Sequence, residues 1–348
     1  LFQAVPIAHQ YRSLSMSLFR YIAARFGMYI AVLFIGLTVL FIVPRLMPSD
    51  PIEGYLMRVQ NQTNTVLSPE EVATIRASLE DMYGIGGSLY SQYFGFLERV
   101  FITLDFGPSM NAYPRPVREF VLIALPYTMG LLVTSTIISW VLGNLVGLLA
   151  GYFNNSKGAT VLEVVGVILY PMPFYILALV LIILFAYIWP IFPLVTTIMP
   201  GPLTLARVID ILHNSILPGL TLVLANFGWN ILGMKALAFS TKEEAFVNFS
   251  RLKGVPDGSI MTRYVFRNAI LPQVTALALS IGGVFNGALI TEMLFSYPGL
   301  GSLMRTAVAN ADYNMLYGTI SLSIVAVATA ALLIDLAYPL FDPRIRYR

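Results

Sequence analysis

Residues 240–258 read STKEEAFVNFSRLKGVPDG, and the basic stretch after them ends in RNAILP at residues 267–272. This charged segment, 240–272, interrupts the apolar second half of the chain, and the runs on either side of it are long enough to cross a bilayer. A charged surface between two membrane-length runs is typical of a place where a cytosolic partner binds. The segment therefore predicts a membrane protein that a partner drives.

The composition places the rest of the chain in a bilayer. Of the 348 residues, 57% are hydrophobic and 11% are charged, whereas a soluble domain carries about 25% charged residues. The chain has no cysteine, which excludes disulfides and thiolate metal sites, and its two histidines, His9 and His213, make no sequence pair. A net charge of +3 is too small to indicate nucleic-acid binding.

Apolar intervals predict an all-α membrane protein with six spanning helices, since a helix needs about 20 apolar residues to cross the hydrocarbon. The intervals are 26–44, 120–156, 164–206, 211–234, 268–291 and 313–334. The second and third could each hold a helix and a loop. We expect neither to contain a central turn that divides it into two full spans.

The distribution of lysine and arginine predicts that both termini are cytosolic. Three arginines precede the first span, six basic residues lie between 235 and 267, and three arginines occupy the last five positions. Six crossings place these groups on one side of the membrane. Residues 48–119 contain five arginines and nine acidic residues, which suits the outer face.

These features divide the chain into five parts. Residues 1–16 are interpreted as an N-terminal extension or an expression remnant, because Met16 resembles a start site. The other parts are the first transmembrane helix, 17–47, an extracytoplasmic helical insertion, 48–119, a transmembrane core, 120–340, with the charged loop at 240–268, and a basic cytosolic tail, 341–348.

Two helices are predicted in the insertion. Ser68 as N-cap, Pro69 in the first turn and Glu71 form a capping box, and this helix should end near Gly84. A second helix is predicted over 88–101. The insertion either covers the first hairpin or binds an external partner, and the sequence leaves both roles open.

Glycine and polar residues inside the spans are candidate packing and transport positions. Gly143, Gly147 and Gly151 form a stripe on the second helix, and Gly283 and Gly287 repeat the spacing on the fifth. Such stripes allow close packing, which we favour over sliding, although the two are compatible.

Buried polar groups are costly in a bilayer and therefore mark candidate pathway residues. These are Asn226, Asn230, Asn286 and Glu292. For Glu292, and for Asp335 on the sixth helix, a structural hydrogen bond or an interfacial position is favoured over a transport role. There is no carboxylate relay or arginine ladder, which predicts a chain without its own energy source.

The chain is also predicted not to be an enzyme. It has no Gly-x-x-x-x-Gly-Lys-Ser/Thr phosphate loop and no Ser-His-Asp or metal-ligand cluster. We expect no cofactor in this chain, so a partner must supply the energy.

The charged segment predicts a short amphipathic helix of about three turns. Ser240 or Thr241 would cap it, with an acidic residue, Glu243 or Glu244, three positions later. The helix would end at Lys253 and Gly254. Its apolar face would consist of Ala245, Phe246, Phe249 and Leu252. A helix lying on lipid headgroups is the alternative, and the turn residues between 254 and 258 favour a protruding element instead.

Several stretches resemble one family of permeases. Gly254 followed by Ile270-Leu271-Pro272 resembles the cytosolic loop of permease subunits of binding-protein-dependent ABC importers, and RLKG with RNAILP resembles the dipeptide and oligopeptide permease branch. Further stretches resemble that branch in the same order, over 17–348: LFRY at 18–21, PSDP at 48–51, DFGP at 105–108, SILPGLT at 215–221, EMLFSYPGLG at 292–301, DY at 312–313 and DPRIR at 342–346. Where the family has Glu-Ala-Ala, this chain has NFS at 248–250, so the role of the family glutamate at Glu244 stays open.

The resemblance implies a type I importer. Two homologous six-helix permeases would form the path by alternating access, with helices two to five lining it. Two cytosolic ATPases would bind ATP and Mg, and an extracytoplasmic solute-binding protein would deliver the substrate. The charged loop would be the coupling helix, with the candidate ATPase contacts Glu244, Ala245, Phe249, Arg251, Lys253, Gly254 and Asp257.

The resemblance leaves the substrate open between oligopeptides and oligosaccharides, with nickel as a less favoured alternative. A secondary transporter would need carboxylates at the midplane and an internal repeat, and the sequence contains neither. A membrane-embedded enzyme would need a catalytic cluster at the interface.

Overall fold

The computed structural model describes residues 7–46, 53, 56, 60, 68–83, 87–198, 201–310 and 312–341. The regular structure of this part of the chain is helical, and its loops contain one isolated bridge, between Pro108 and Pro116. The helices are α1 (Ile7–Arg45), α2 (Pro69–Tyr83), α3 (Leu89–Glu98), α4 (Val117–Tyr152), α5 (Lys157–Leu169), α6 (Phe174–Ile182), α7 (Leu205–Lys242), α8 (Ala245–Leu252), α9 (Arg267–Phe295), α10 (Leu300–Ala309) and α11 (Tyr313–Phe341). The all-α fold class is confirmed.

Four of the described helices are long and apolar enough to cross a membrane, and a bent pair adds a fifth span if its halves count as one. The four are Phe19–Arg45 within α1, α4, α7 and Tyr313–Leu333 within α11. Helix α9 covers the predicted span 268–291, and the side chains at 278–288 lie outside the described residues. The count of six crossings therefore stays a prediction.

The third apolar interval contains a bend, but this bend does not divide it into two full spans, as expected. Helices α5 and α6 meet at Tyr170–Pro173 with a bend of 104°, and α6 continues as a π-helix over Ile183–Ile188. Pro171 and Pro173 explain the break, because proline cannot donate the N–H that continues a helix and its ring clashes with the preceding turn. The two halves are each shorter than a full span.

The first helix begins earlier than the predicted boundary. Helix α1 starts at Ile7 and runs without interruption through residues 7–16 into the span. Arg25 pairs with Asp335 at 3.1 Å, and the Tyr21 hydroxyl donates to the Asp335 carbonyl at 2.7 Å. Asp335 thus joins α11 to α1, in keeping with the structural position favoured for it.

The chain divides into two compact units. The first comprises Leu1–Tyr29, Met129–Tyr297 and Thr329–Arg348, and the second comprises Ile30–Thr128 and Pro298–Ala328. The charged segment and the helices packed against it belong to the first unit, and the insertion belongs to the second.

In the first unit, the glycine stripe of α4 lies against the backbone of α7. A Cβ added at Gly147 would lie 2.5 Å from the Ile231 carbonyl oxygen, and one at Gly151 would lie 2.5 Å from the Lys235 carbonyl oxygen. Gly143 would meet the Asn230 Cβ at the same distance. The stripe therefore provides the close helix packing that its spacing predicts.

In the second unit, the capping box predicted for the insertion is present. The Ser68 N–H donates to Glu71 Oε2 at 2.8 Å, and the Glu71 N–H donates to Ser68 Oγ at 3.3 Å. Helix α2 ends at Tyr83, one residue before the predicted Gly84, and Ser88 caps α3. Helix α3 is followed by a π-helix, Arg99–Thr103, so the predicted helix 88–101 extends slightly further.

Two buried polar clusters hold the second unit together. Asp312 accepts hydrogen bonds from the Ser109 hydroxyl at 2.6 Å and from the Met315 N–H at 3.0 Å. Arg45 lies over the Phe41 ring and donates to the Tyr317 hydroxyl at 3.1 Å. The Asp312 contacts join the loop after α3 to the start of α11, and the Arg45 contact joins the end of α1 to α11.

Candidate functional site

The candidate site is the short helix α8 with the turn that follows it. Val247 and Ser250, three residues apart, are buried on one side of α8. Phe246, Phe249 and Leu252, also three residues apart, form an exposed stripe in which Phe249 is 57% and Leu252 87% accessible. Helix α8 is therefore anchored by one face and presents an apolar face outward. Large apolar side chains are usually buried, so this exposed stripe is unusual.

The predicted start of this helix is wrong. Ser240 and Thr241 are part of α7, which runs without interruption to Lys242, so they do not cap the short helix. Helix α8 begins at Ala245 after an extended Glu244 whose side chain makes no capping hydrogen bond. It has eight residues, which is about two turns instead of three.

The end of α8 falls at the predicted turn. Lys253 is the C-cap, and Gly254 has φ +75°. The Val255 N–H donates back to the Ser250 carbonyl at 3.2 Å, which closes the helix end. A Cβ added at Gly254 would contact nothing within 4 Å, so the left-handed backbone, and not a lack of space, requires glycine here.

Behind α8 lies a buried apolar cluster. Val247 contributes the α8 side chain, and Ile260 and Val265 come from the π-helix Ile260–Phe266 that leads into α9. The remaining members come from α4, α7 and α9: Leu148, Tyr152, Met234, Ala238 and Ala269. Because the cluster draws on all of these helices, α8 is closely packed against α4, α7 and α9.

Polar contacts reinforce the anchor. The Tyr152 hydroxyl, at the end of α4, donates to Asp257 Oδ1 at 2.9 Å. Lys242 Nζ donates to the Tyr152 carbonyl at 2.7 Å and to Asn154 Oδ1 at 3.2 Å. An open cleft of about 550 Å³ lies here, lined by residues that include Ser156 and Arg251. Asp257, predicted to contact a partner, thus binds a residue of its own chain.

The other predicted contact residues lie on the exposed surface of α8 and its ends. Glu244, Ala245, Lys253 and Gly254 are exposed, and Arg251 is half-buried. Lys253 Nζ lies 4.5 Å from the Phe249 ring centroid, which adds a positive charge to the apolar stripe. Arg251 donates to Asn248 Oδ1 at 3.4 Å.

The predicted pathway residues have different surroundings. Asn226 is half-buried and donates to the Leu222 carbonyl of its own helix, whereas Asn230 is buried and donates to Ser139 Oγ on α4. Glu292 is fully buried on α9. Asn286 is also on α9, and its side chain lies outside the described residues. These four residues do not form one described cluster.

Two features were absent from the sequence expectations. The Tyr170 ring, at the bend, stacks on the Trp229 ring of α7 at 5.7 Å and 23°, and the Trp140 indole N–H donates to the Gln273 carbonyl at 3.0 Å. The prolines at 171 and 173 could have indicated the bend itself, whereas no local pattern indicates either contact. Among the residues described, no three His, Asp or Glu side chains converge on a possible metal site.

The helices and the anchored α8 define a class: a multi-pass helical membrane protein with a short helix exposed beside its spans. The chain belongs to the family described as binding-protein-dependent transport system inner membrane component, whose model matches residues 143–347, more than half of the chain. That match includes the bend, α7, α8 and α9. The chain is accordingly a permease component of a binding-protein-dependent ABC importer.

Similar curated proteins span nearly the whole chain. The oligopeptide transport system permease protein AppB of Bacillus subtilis is 27% identical, covering 94% of this chain and 99% of the relative. The dipeptide transport system permease protein DppB of the same organism is 26% identical, covering 94% and 98%. The oligopeptide transport system permease protein OppB of Haemophilus influenzae is 29% identical, covering 90% and 95%.

Proposed function

We propose that this chain is one of two homologous permeases that form the translocation path of an ATP-driven peptide importer, with α8 as the helix that couples it to a cytosolic ATPase. The observation that carries the proposal is the geometry of α8. Its outward stripe, Phe246, Phe249 and Leu252, is apolar and exposed, while its inward residue Val247 lies in the cluster shared by α4, α7 and α9.

A coupling element needs both of these faces. Exposed aromatic side chains are typical of the buried centre of a protein interface, and a charged residue such as Lys253 is typical of its polar rim. A rigid connection to several spanning helices allows movement of that interface to reach the membrane. Glu244, Ala245, Arg251, Lys253 and Gly254 would surround the stripe, and Asp257 would hold the loop to Tyr152.

The distribution of basic residues supports a cytosolic position for α8. Six crossings, with both termini in the cytosol, would place the insertion outside, where a solute-binding protein could reach it. Alternating access between two such permeases would then move the substrate, and the ATPases would bind ATP and Mg.

A peptide is the substrate that the relatives support. The three relatives described above are named for oligopeptide or dipeptide transport. No observation in the structure favours an oligosaccharide or nickel, and neither is proposed further.

Co-purification with the neighbouring ATPases tests the assignment of α8. Leu252→Asp places a charge at the end of the stripe, and Leu252 packs against nothing that it would need for folding, since it is 87% exposed. We expect this variant to insert normally, to lose the ATPases during purification and to lose ATP-dependent peptide uptake.

Leu89→Asp is the matched control, because Leu89 is also an exposed leucine at the surface of a short helix and lies in the insertion. It should retain the ATPases. If Leu252→Asp retains them as well, with normal uptake, α8 is not the coupling helix. A chain that is active alone, without any ATPase, would contradict the importer itself.

A further inference from the structure

The bend between α5 and α6 leaves polar backbone groups on the surface of the chain. Pro171 has no N–H, so the carbonyl of Val167 loses the donor that a continuous helix would supply, whereas the Leu169 carbonyl accepts from the Met172 N–H at 3.2 Å. Phe174 is the first residue of α6, so its N–H has no acceptor within the helix. Both prolines of the bend are exposed, so this irregular backbone is not covered by the rest of the chain.

The bend lies deep in the membrane. Helix α5 has 13 residues and begins beside the loop that Lys242 binds at the end of α7; at 1.5 Å per residue it is about 20 Å long, against about 30 Å of hydrocarbon. On α7, Trp229 lies as many residues from Lys242 as α5 is long. Because Trp229 stacks on Tyr170 at the bend, α7 places the bend at the same depth as α5 does.

Lipid cannot cover such a surface. Irregular backbone at membrane depth is tolerated only where protein covers it or where it lines a water-filled cavity, because hydrocarbon offers no hydrogen bonds. Broken spanning helices commonly form the substrate site of transporters for the same reason. The bend therefore faces either a partner subunit or the translocation path.

The side chains around the bend favour the path. The Tyr170 and Trp229 rings are stacked, yet 51% and 58% of their surfaces remain accessible. Asn226 lies one turn from Trp229 and so shares its side of α7. A flat aromatic surface next to an amide and open backbone groups combines apolar contact with hydrogen bonding, as ligand sites do.

We propose that the stacked pair Tyr170 and Trp229, with the bend beside it, is a contact site for the transported substrate within the water-filled path. The site would accept a group with a flat apolar face, such as an aromatic peptide side chain. The inference rests on the proposed function, since it takes the chain to line a path.

Thiol labelling tests whether the site is in water, and the cysteine-free chain gives a clean background. Single cysteines replace Tyr170 and, in a second variant, Trp229, in the assembled importer in membranes. A water-soluble methanethiosulfonate sulfonate reagent should label both at least about tenfold faster than Ile35→Cys, because the thiolate forms in water and not in lipid. Ile35 is an exposed residue at mid-span in α1.

Two labelling outcomes overturn the inference. Labelling as slow as at Ile35 means that lipid or a subunit covers the pair, and loss of the second permease from either variant identifies the surface as a subunit interface. Labelling needs neither ATP nor the solute-binding protein. Slow labelling in an importer that still takes up peptide therefore contradicts this inference alone, and failure to co-purify with ATPases contradicts only the proposed function.

Uptake then identifies the ligand chemistry. Ala-Phe-Ala and Ala-Ala-Ala are supplied separately to the importer carrying Trp229→Ala. Uptake of Ala-Phe-Ala should fall about two- to tenfold relative to Ala-Ala-Ala, the range expected for one aromatic contact. Trp229→Phe should restore most of the difference. An equal loss for all transported probes would show that the ring supports structure only and does not contact substrate.

Discussion

At the residue scale, Gly254 and Tyr152 show two different ways in which a single position determines the site. Gly254 contributes a backbone conformation, φ +75°, at a place with ample room for a side chain. Tyr152 contributes a hydroxyl that reaches Asp257, 105 positions away in sequence. The first is a local requirement of the chain, and the second depends on the packing of α4 against the loop.

The backbone requirement at Gly254 is tested by Gly254→Ala. The left-handed conformation costs a non-glycine residue about 1–2 kcal/mol, which lowers the population of the native turn about tenfold. We expect reduced peptide uptake with the ATPases still able to hydrolyse ATP, and complete loss of transport for the bulky Gly254→Trp.

Gly258→Ala is the control for this change. Gly258 lies four positions later in the same loop, also has open space for a Cβ, and does not have a left-handed φ. Its uptake should match the unmodified protein. Equal effects of the two alanine variants would mean that the turn at Gly254 does not require a left-handed residue.

Tyr152→Phe tests whether the contact with Asp257 transmits movement. The ring stays in the apolar cluster while the hydrogen bond is lost, at a cost of about 1 kcal/mol. We expect normal assembly with ATPases but fewer peptides imported per ATP hydrolysed, measured together in proteoliposomes. Tyr264→Phe, whose ring packs against the same cluster, is the control and should leave this ratio unchanged. An unaltered ratio in Tyr152→Phe would assign the contact to stability alone.

At the scale of elements, α4 and α7 depend on close backbone approach. Gly147→Ala would place a Cβ 2.5 Å from the Ile231 carbonyl oxygen, which a rigid backbone cannot relieve. Overpacking of this kind costs about 1–3 kcal/mol. We expect a lower melting temperature in detergent, whereas Gly130→Ala in the same helix, where nothing lies within 4 Å, should be neutral or slightly stabilising. Equal melting temperatures would contradict the packing role of the stripe.

Helix α2 depends on its capping box and therefore on pH. The hydrogen bonds from the Ser68 N–H and hydroxyl lower the pKa of Glu71 below its ordinary value. A lowered pKa in the folded state means that the contribution is present at neutral pH and is lost as pH falls through the folded pKa. Amide exchange over 69–76, corrected for intrinsic rates, should speed up below pH of about 4.3, the ordinary glutamate value.

The neighbouring glutamate provides the control for the capping prediction. Glu71→Gln should remove the pH dependence of exchange, because glutamine can still reach back to Ser68 without titrating. Glu70→Gln should preserve the pH dependence, since Glu70 is not part of the capping box. Identical pH profiles for the two variants would show that another group causes the effect.

At the scale of the whole molecule, the count of crossings decides which surfaces meet which partners. Single cysteines at Asn155 and at Ser88 distinguish the two sides, because both positions are exposed outside the helices. With six crossings, a membrane-impermeant thiol reagent should label Ser88→Cys in intact cells and Asn155→Cys only after permeabilisation. Labelling of both from one side would mean that α4, the span between the two positions, does not cross the membrane.

Much of the molecule could be predicted from the sequence because the relevant interactions are local. The apolar intervals located the long helices, the Ser68 and Glu71 spacing located the start of α2, and Gly254 located the end of α8. Each rests on residues within a few positions of one another or on the length of an apolar run. The start of α8 was misplaced because Ser240 and Thr241 favour a cap locally, whereas packing of α7 extends its helix through them.

The sequence by itself determined that the chain is helical, lies in a membrane and has a short charged loop ending in a glycine turn, since composition, periodicity and caps are properties of neighbouring residues. Only the tertiary structure decided which face of α8 is exposed, that Asp257 binds Tyr152, and that Tyr170 at the bend stacks on Trp229. These depend on contacts between residues far apart in sequence. Such contacts form only when the helices pack, because no local pattern specifies which distant side chain will lie opposite.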